Sequence, residues 1–218
     1  MPTGDNLPDG AEPSSASAGA ADTRDGRLRL LEAGEELLGR YGVGAVSMRQ
    51  IVAAAGQANP AAVQYHFKSM DGLIEAICRL RIPQVEERRK ARLSQIPPDR
   101  LGDLRALLEA MIKPYVEVLN SKGEITFAPF VSQMRFSDQQ PAAWVTSDLA
   151  PVSEQLTQLI KDAMPPMPDD IRSVRLVLVF EVMHRAISPG HGGRLYGLDR
   201  EAVLDEAITI AAAALRHA

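Results

Sequence analysis

Residues 53–67 read AAAGQANPAAVQYHF, and their punctuation decides how the rest of the chain is read. Gly56 stands where a left-handed helix C-cap is wanted, Asn59 offers an N-cap oxygen, and Pro60 presets φ for a first helical residue. One helix therefore ends and another begins within a few residues. Just upstream, Ser47-Met48-Arg49-Gln50 fits a capping box, in which the serine oxygen accepts from the backbone three residues on and the glutamine side chain returns to the serine N–H. Met48, Ile51, Val52 and Ala55 then follow helical spacing, so a helix of about two turns precedes the glycine. The helix opened by Asn59 has only a short apolar face, Val63 and Phe67. Two short helices joined by a tight glycine turn, with a third packed before them, make a helix-turn-helix, which lets its second helix protrude.

The protruding face would carry Ala61, Ala62 and Gln64. Small alanines let a backbone approach base edges and touch thymine methyls, and a glutamine amide can pair with adenine. Tyr65, His66 and Lys68 follow at the far end, with a hydroxyl, an imidazole and an ammonium suited to phosphates. Arg49, near the start of the preceding helix, is placed for a phosphate or a guanine edge. A helix pair with a glycine turn also occurs in proteins that never meet DNA. Tyr65 and Phe67 can equally close a small core over Leu37 and Ile51, and for Phe67 that reading is preferred.

Outward from the motif, Leu30, Ala33, Leu37 and Tyr41 recur at helical spacing and predict an amphipathic helix from Arg24 to about Gly42. Before it, residues 1–23 are Pro, Gly, Ser, Ala and Asp with little to bury, and predict a disordered tail. After the motif, Ser69 can cap a helix whose face is Leu73, Ile77 and Leu80, kinked or ended at Pro83. Residues 24–82 thus read as one small domain, with its motif at about 47–66, and residues 83–218 as a larger helical one. A charged stretch, EERRKARL, runs to a break at Pro97-Pro98. Helical segments are then predicted over Leu101–Asn120, about Ala128–Phe136, about Ala143–Met164, about Ile171–Ile187 and Glu201–Arg216, with a glycine-rich loop, SPGHGGRLYG, between the last two. No strand alternation is persuasive, so the fold class is all-α.

Of the 218 residues, 45% are hydrophobic and 24% charged, an ordinary globular balance in which alanine, leucine and glutamate favour helices. No apolar run approaches the ~20 residues that span a bilayer, and no leader pattern opens the chain, so a cytoplasmic protein is expected. The lone cysteine, Cys78, sits on an apolar helical face and reads as a buried, inert thiol. The net charge of -4 does not advertise a nucleic-acid binder. It averages over unlike parts, however: residues 24–82 carry eight basic groups against six acidic ones, a surplus that permits phosphate contact.

The initial amphipathic helix ending in Tyr41-Gly42, Ser47-Met48-Arg49-Gln50-Ile51-Val52-Ala53, Ala55-Gly56, Val63-Gln64-Tyr65-His66-Phe67 and Ser69-Met70-Asp71-Gly72-Leu73 together resemble the TetR family of transcriptional repressors. The resemblance covers about residues 24–82. It implies a homodimer with an N-terminal helix-turn-helix DNA-binding domain and a helical C-terminal domain that binds an effector and dimerises through its last two helices. It also implies a double-stranded operator as partner, no cofactor and no catalysis. Carried onto this chain, it suggests Arg49, Ala62, Gln64, Tyr65 and His66 as DNA contacts, and with Ser47, Asn59, Ala61 and Lys68 from the motif itself these make up the expected DNA-binding set. Two departures stand out. The turn from Gly56 to His66 is one residue longer than in most members, and Met70 stands where a phosphate-binding lysine is frequent, a role Lys68 can take.

In the larger domain, VRLVLVFEVMHRAI is apolar nearly all round, as expected when one side faces its own domain and another a partner. Val203, Leu204, Ala207, Ile208, Ala211 and Leu215 form a stripe on the last helix, whose alanines permit close contact. These two helices predict a dimer about a two-fold axis. Met111, Tyr115, Phe127, Phe130, Met134, Trp144, Met183 and His184 are the candidate lining of a mostly apolar effector pocket, or else an ordinary aromatic and methionine core. Glu181 and His184 share the i, i+3 spacing of carboxylate-bridged di-iron bundles, but no second Glu-x-x-His exists, and a Glu181–Arg185 ion pair is favoured. No zinc spacing or serine nucleophile motif is present, so no metal site and no enzyme are predicted. The reading from a different class is a helical small-molecule binder or enzyme whose N-terminal bundle is only structural.

Overall fold

Alanine carries the first helix beyond its apolar pattern. In the computed structural model, which describes residues 15–57, 65–135, 148–188 and 194–217, α1 spans Ser15–Tyr41. The predicted tail of 1–23 is therefore corrected from Ser15 onward. Alanine is the best helix former, and SASAGAADT has four of them to extend a helix already nucleated from Arg24 on. The buried face of α1 is Leu30, Leu31, Ala33 and Leu38. Tyr41, predicted on that face, is 53% exposed, so the stripe is rotated slightly from the one the spacing suggested.

Next come α2 (Met48–Ala54), a helical segment α3 described over residues 65–67, and α4 (Met70–Ser94). Helix α4 continues through Pro83, where the sequence suggested a kink or an end and a domain boundary, so the helix does not end there. A proline in a helix interior costs about 3 kcal/mol. Pro83 is exposed, while Ile82, Val85, Glu86 and Arg89 are buried around it, and this anchoring keeps the helix intact. EERRKARL is accordingly the end of α4, and the break falls at Pro97-Pro98 as predicted.

The remaining elements are α5 (Leu104–Ile112), α6 (Pro114–Glu117), α7 (Phe127–Arg135), α8 (Pro151–Ala163), α9 (Asp169–Ala186) and α10 (Arg200–Arg216). The predicted Leu101–Asn120 helix is divided because Pro114 lacks the N–H that would continue α5. At the end of the predicted glycine-rich loop, β1 (Arg194–Leu195) pairs antiparallel with β2 (Leu198–Asp199), which follows it. Tyr196 and Gly197 both take positive φ, 48° and 85°, as a two-residue type I′ hairpin requires.

Helix α1 packs on α7 and α4, while α8 lies against α5 and α4. The approach of α1 to α7 is close enough that a Cβ on Gly39 would fall 2.8 Å from the backbone nitrogen of Phe130. Helix α10 packs on α9 and α5, and its predicted partner-facing stripe is a correction: Leu204, Ala207, Ile208, Ala211 and Leu215 are buried inside their own chain. The free apolar surface lies on α9 instead, where Ile171, Val174, Val177, Leu178 and Val182 are exposed, with Ile210 of α10 also exposed.

Two buried ion clusters tie these layers together. On one side of α4, Arg81 Nε donates to Glu35 Oε2 of α1 at 2.6 Å, Nη2 donates to Glu32 at 3.3 Å and Nη1 to the Leu119 carbonyl at 3.3 Å. Thr126 and Ser121 donate their hydroxyls to Glu35 and Glu32. Burial pushes the Glu35 carboxyl above its usual range, against the pull of Arg81 and Thr126. On the other side, Glu86 supplies what α8 lacks. Ala150 has no side chain to cap that helix, and Glu86 Oε2 accepts from Val152 N at 2.7 Å and Ser153 N at 3.2 Å, an anion at the positive end of a helix dipole. Its Oε1 accepts from Arg89 at 2.9 Å.

Candidate nucleic-acid interface and effector core

The first helix of the motif is held by its own local capping. Ser47 Oγ accepts from Gln50 N at 3.4 Å and Gln50 Oε1 accepts from Ser47 N at 2.7 Å, closing the predicted box. Ile51, Val52 and Ala55 are buried against the neighbouring helices, which leaves Arg49 exposed. Gly56 ends the helix with φ of 66°, a conformation glycine adopts without a Cβ penalty. Gln57 then ties the turn back to α1, donating from Nε2 to the Gly26 carbonyl at 2.8 Å.

At the far end the chain alternates sharply between inside and outside. Tyr65 is 82% exposed and Phe67 only 5%, so Phe67 closes the core as preferred while Tyr65 projects. His66 is half-buried and meets the Tyr65 ring edge-on at 5.2 Å. Lys68 is exposed with φ of 64°, a costly left-handed conformation for a lysine that aims its backbone around the corner into α4. The corner is tight: Ser69 Oγ caps α4 through Gly72 N at 3.1 Å, and a Cβ on Gly72 would collide with the Phe67 carbonyl at 2.1 Å. Of the predicted DNA-binding residues, Asn59, Ala61, Ala62 and Gln64 lie outside the described residues.

Sequence reading missed Arg27. Its guanidinium carbon sits 5.2 Å from the Phe67 ring centroid, and no acidic partner faces it among the described residues. The contact joins residues forty positions apart, so no local pattern announces it. Arg27, Arg49, Tyr65 and Lys68 thus present exposed side-chain hydrogen-bond donors that find no acceptor among the described residues.

The candidate effector residues form one continuous core. Met111, Tyr115, Phe127, Phe130, Met134, Met183 and His184 are all buried; Trp144 lies outside the described residues. Tyr115 is 6.1 Å from Phe127 and 5.5 Å from His184, and Phe127 stacks on Phe130 at 5.7 Å. Arg89 lies 4.8 Å from the Tyr115 ring centroid, and its Nε donates to the Met111 carbonyl at 2.9 Å. Burial, with Arg135 and Arg89 nearby, pushes the His184 imidazole down to about 3, so it is neutral at ordinary pH. Its Nδ1 lies 2.7 Å from the Phe180 carbonyl, which selects the tautomer protonated there. Glu181 pairs with Arg135 of α7 at 2.7 Å, not with Arg185, because α7 packs against that face of α9. Cys78 is buried, and desolvation pushes its thiol up to about 12. Among the described residues there is no group of three His, Cys, Asp or Glu placed for a metal, and no helix long and apolar enough to cross a membrane.

An almost entirely helical chain with a capped helix-turn-helix, a projecting recognition end and a larger helical body has the build of a helix-turn-helix transcription regulator. Residues 30–77 match the family described as bacterial regulatory proteins, tetR family, and residues 109–214 match a tetracyclin repressor-like C-terminal domain. The chain belongs to the TetR family of DNA-binding transcription regulators, which are not enzymes. The fold is similar to that of a TetR family transcription regulator from Marinobacter aquaeolei VT8, at 18% identity over 90% of this chain and 98% of that one, with a TM-score of 0.57. A more distant likeness, TM-score 0.48 at 16% identity over 88% of this chain and 99% of the other, is to a putative TetR-family transcriptional regulator from Rhodococcus sp.. No curated protein sequence matches the chain.

Proposed function

We propose that the chain is a ligand-responsive homodimeric repressor that grips a palindromic operator through the major groove and is released by a largely apolar small-molecule effector. The observation that supports the DNA half is the contrast between exposed Tyr65 and buried Phe67, two residues apart, as a recognition end facing outward requires. On this reading Ser47, Arg49, Asn59, Ala61, Ala62, Gln64, Tyr65, His66 and Lys68 form the contact set, with Arg27 adding a phosphate contact from α1. The effector would enter the aromatic and methionine core around Tyr115, Phe127 and His184. Dimerisation would use the free face of α9 and Ile210, since exposed aliphatic side chains in such number mark a contact surface. The protein would act in the cytoplasm, where its operator is.

Selection of bound sequences from random duplexes tests the reading. Recovery of a palindrome whose half-sites are one or more helical turns apart is expected. Binding without any enriched sequence overturns it. Tyr65→Ala is expected to abolish the enrichment while leaving the thermal unfolding curve in place.

A further inference from the structure

An open cleft of about 270 Å³ lies where the N-terminal helices meet the body, and none of the aromatic core residues lines it. Ala33 of α1 with Ala54 and Ala55 at the end of α2 supplies a small-residue floor, and the turn at 120–122 forms the opposite wall. Four charges line it: Arg29, Glu32 and Glu36 on α1, and Lys122 on the turn. Their formal sum is zero.

These charges are not equivalent. Glu32 is spent, since it accepts from Arg81 and from the backbone and hydroxyl of Ser121. That bonding fixes the turn to α1. Asn120 stiffens it further, accepting through Oδ1 from Lys122 N and Glu124 N, both at 2.9 Å. Arg29 holds Asp25 through one nitrogen. The side chains of Glu36 and Lys122 have no ion-pair or hydrogen-bond partner among the described residues, and both are exposed. The cleft is thus held rigid by one set of polar groups and offers a separate anion and cation on opposite walls.

We propose that this cleft binds a small zwitterion, a molecule carrying one ammonium and one carboxylate on a short aliphatic linker. The carboxylate would face Lys122 and Arg29, the ammonium Glu36, and the linker the alanine floor. A neutral quartet with both signs unspent favours a ligand of zero net charge that presents both signs, because a singly charged ligand meets one attractive wall and one repulsive wall. Such a ligand spans α1, α2 and the 120–122 turn, so its binding couples the DNA-reading helices to the body. The coupling bears on the regulator reading above, but the binding does not depend on it.

The test uses the full chain, without DNA, and 4-aminobutyrate as probe, with butyrate and n-butylamine as its single-charge halves. Saturable ligand-observed NMR signals and a dose-dependent rise in melting temperature are expected with 4-aminobutyrate, and at least about tenfold weaker binding with either half. Glu36→Gln and Lys122→Met are each expected to weaken the probe by about tenfold or more, and Ala54→Leu to block it by filling the floor. All three positions are exposed or nearly so, and circular dichroism confirms that the variants fold. Binding of either half as tight as that of 4-aminobutyrate, probe binding that survives Ala54→Leu, or the absence of saturation in the folded wild-type protein overturns the proposal. A DNA-binding assay with and without the probe is a separate arm, so failure of operator recognition is distinguishable from failure of the cleft.

Discussion

Arg27, Arg49 and Lys68 at the recognition end, set against Arg81, Arg89 and Arg135 in the body, show one kind of side chain put to two uses. The first three are exposed and find no carboxylate among the described residues, whereas the second three each meet one, at 2.6 to 2.9 Å. A buried cation must be paired, because desolvation would otherwise cost several kcal/mol. An exposed, unpaired one keeps its donors for a phosphate and contributes little to the fold. The difference teaches that stability and DNA affinity are lodged in separate sets of charges, and each set can be altered without the other.

The largest effect is expected in the body. Arg89→Met leaves Glu86 buried beside the start of α8 without its cation, at a cost of about 3–5 kcal/mol, a large share of a typical domain's stability. Urea denaturation measures it, and a loss below about 1 kcal/mol would show that the helix dipole alone satisfies Glu86. Acid comes next, through His184. Its folded pKa of about 3 lies below the unfolded 6.5, so only the unfolded chain gains a proton as pH falls through that window, and stability declines. Between 6.5 and roughly pH 5 the loss approaches 2 kcal/mol, and His184→Gln should flatten that part of the profile.

On the outer set, Lys68→Ala or Arg27→Ala is expected to lower operator affinity uniformly across sequences and to reduce the salt slope by about one phosphate, with stability changed by less than about 0.5 kcal/mol. An unchanged slope would remove that residue from the contact set. Smallest of all is the response of Cys78. With its thiol raised to about 12, the native protein should stay unlabelled by a thiol reagent that titrates it fully after unfolding.

Much of this was legible because it is written locally. Ser47–Gln50, Gly56 and Ser69 announce their caps through spacing of two or three residues, and the structure places those bonds as read. What spacing misjudged required partners far along the chain. Pro83 reads as a stop until Ile82 and Val85 on either side are seen to be anchored, and the α10 stripe reads as an outer face until α5 is seen to cover it. The buried ion clusters did leave a trace. Glu35 falls in phase with Leu31 and Leu38, and Arg81 with Ile77, Ile74 and Val85, so a charge on an apolar stripe marks a buried pair even when its partner is unknown. Arg27 over Phe67 left none.

The unbroken course of α4 has a mechanical meaning. Its 25 residues form a rod about 37 Å long, rooted beside the recognition corner at Ser69 and reaching deep into the body at Arg89. A tilt of about 5° at one end displaces the other by about 3 Å over that length, comparable to the spacing between successive base pairs. Pro83, by not ending the helix, leaves the protein with one continuous lever where a stop was expected.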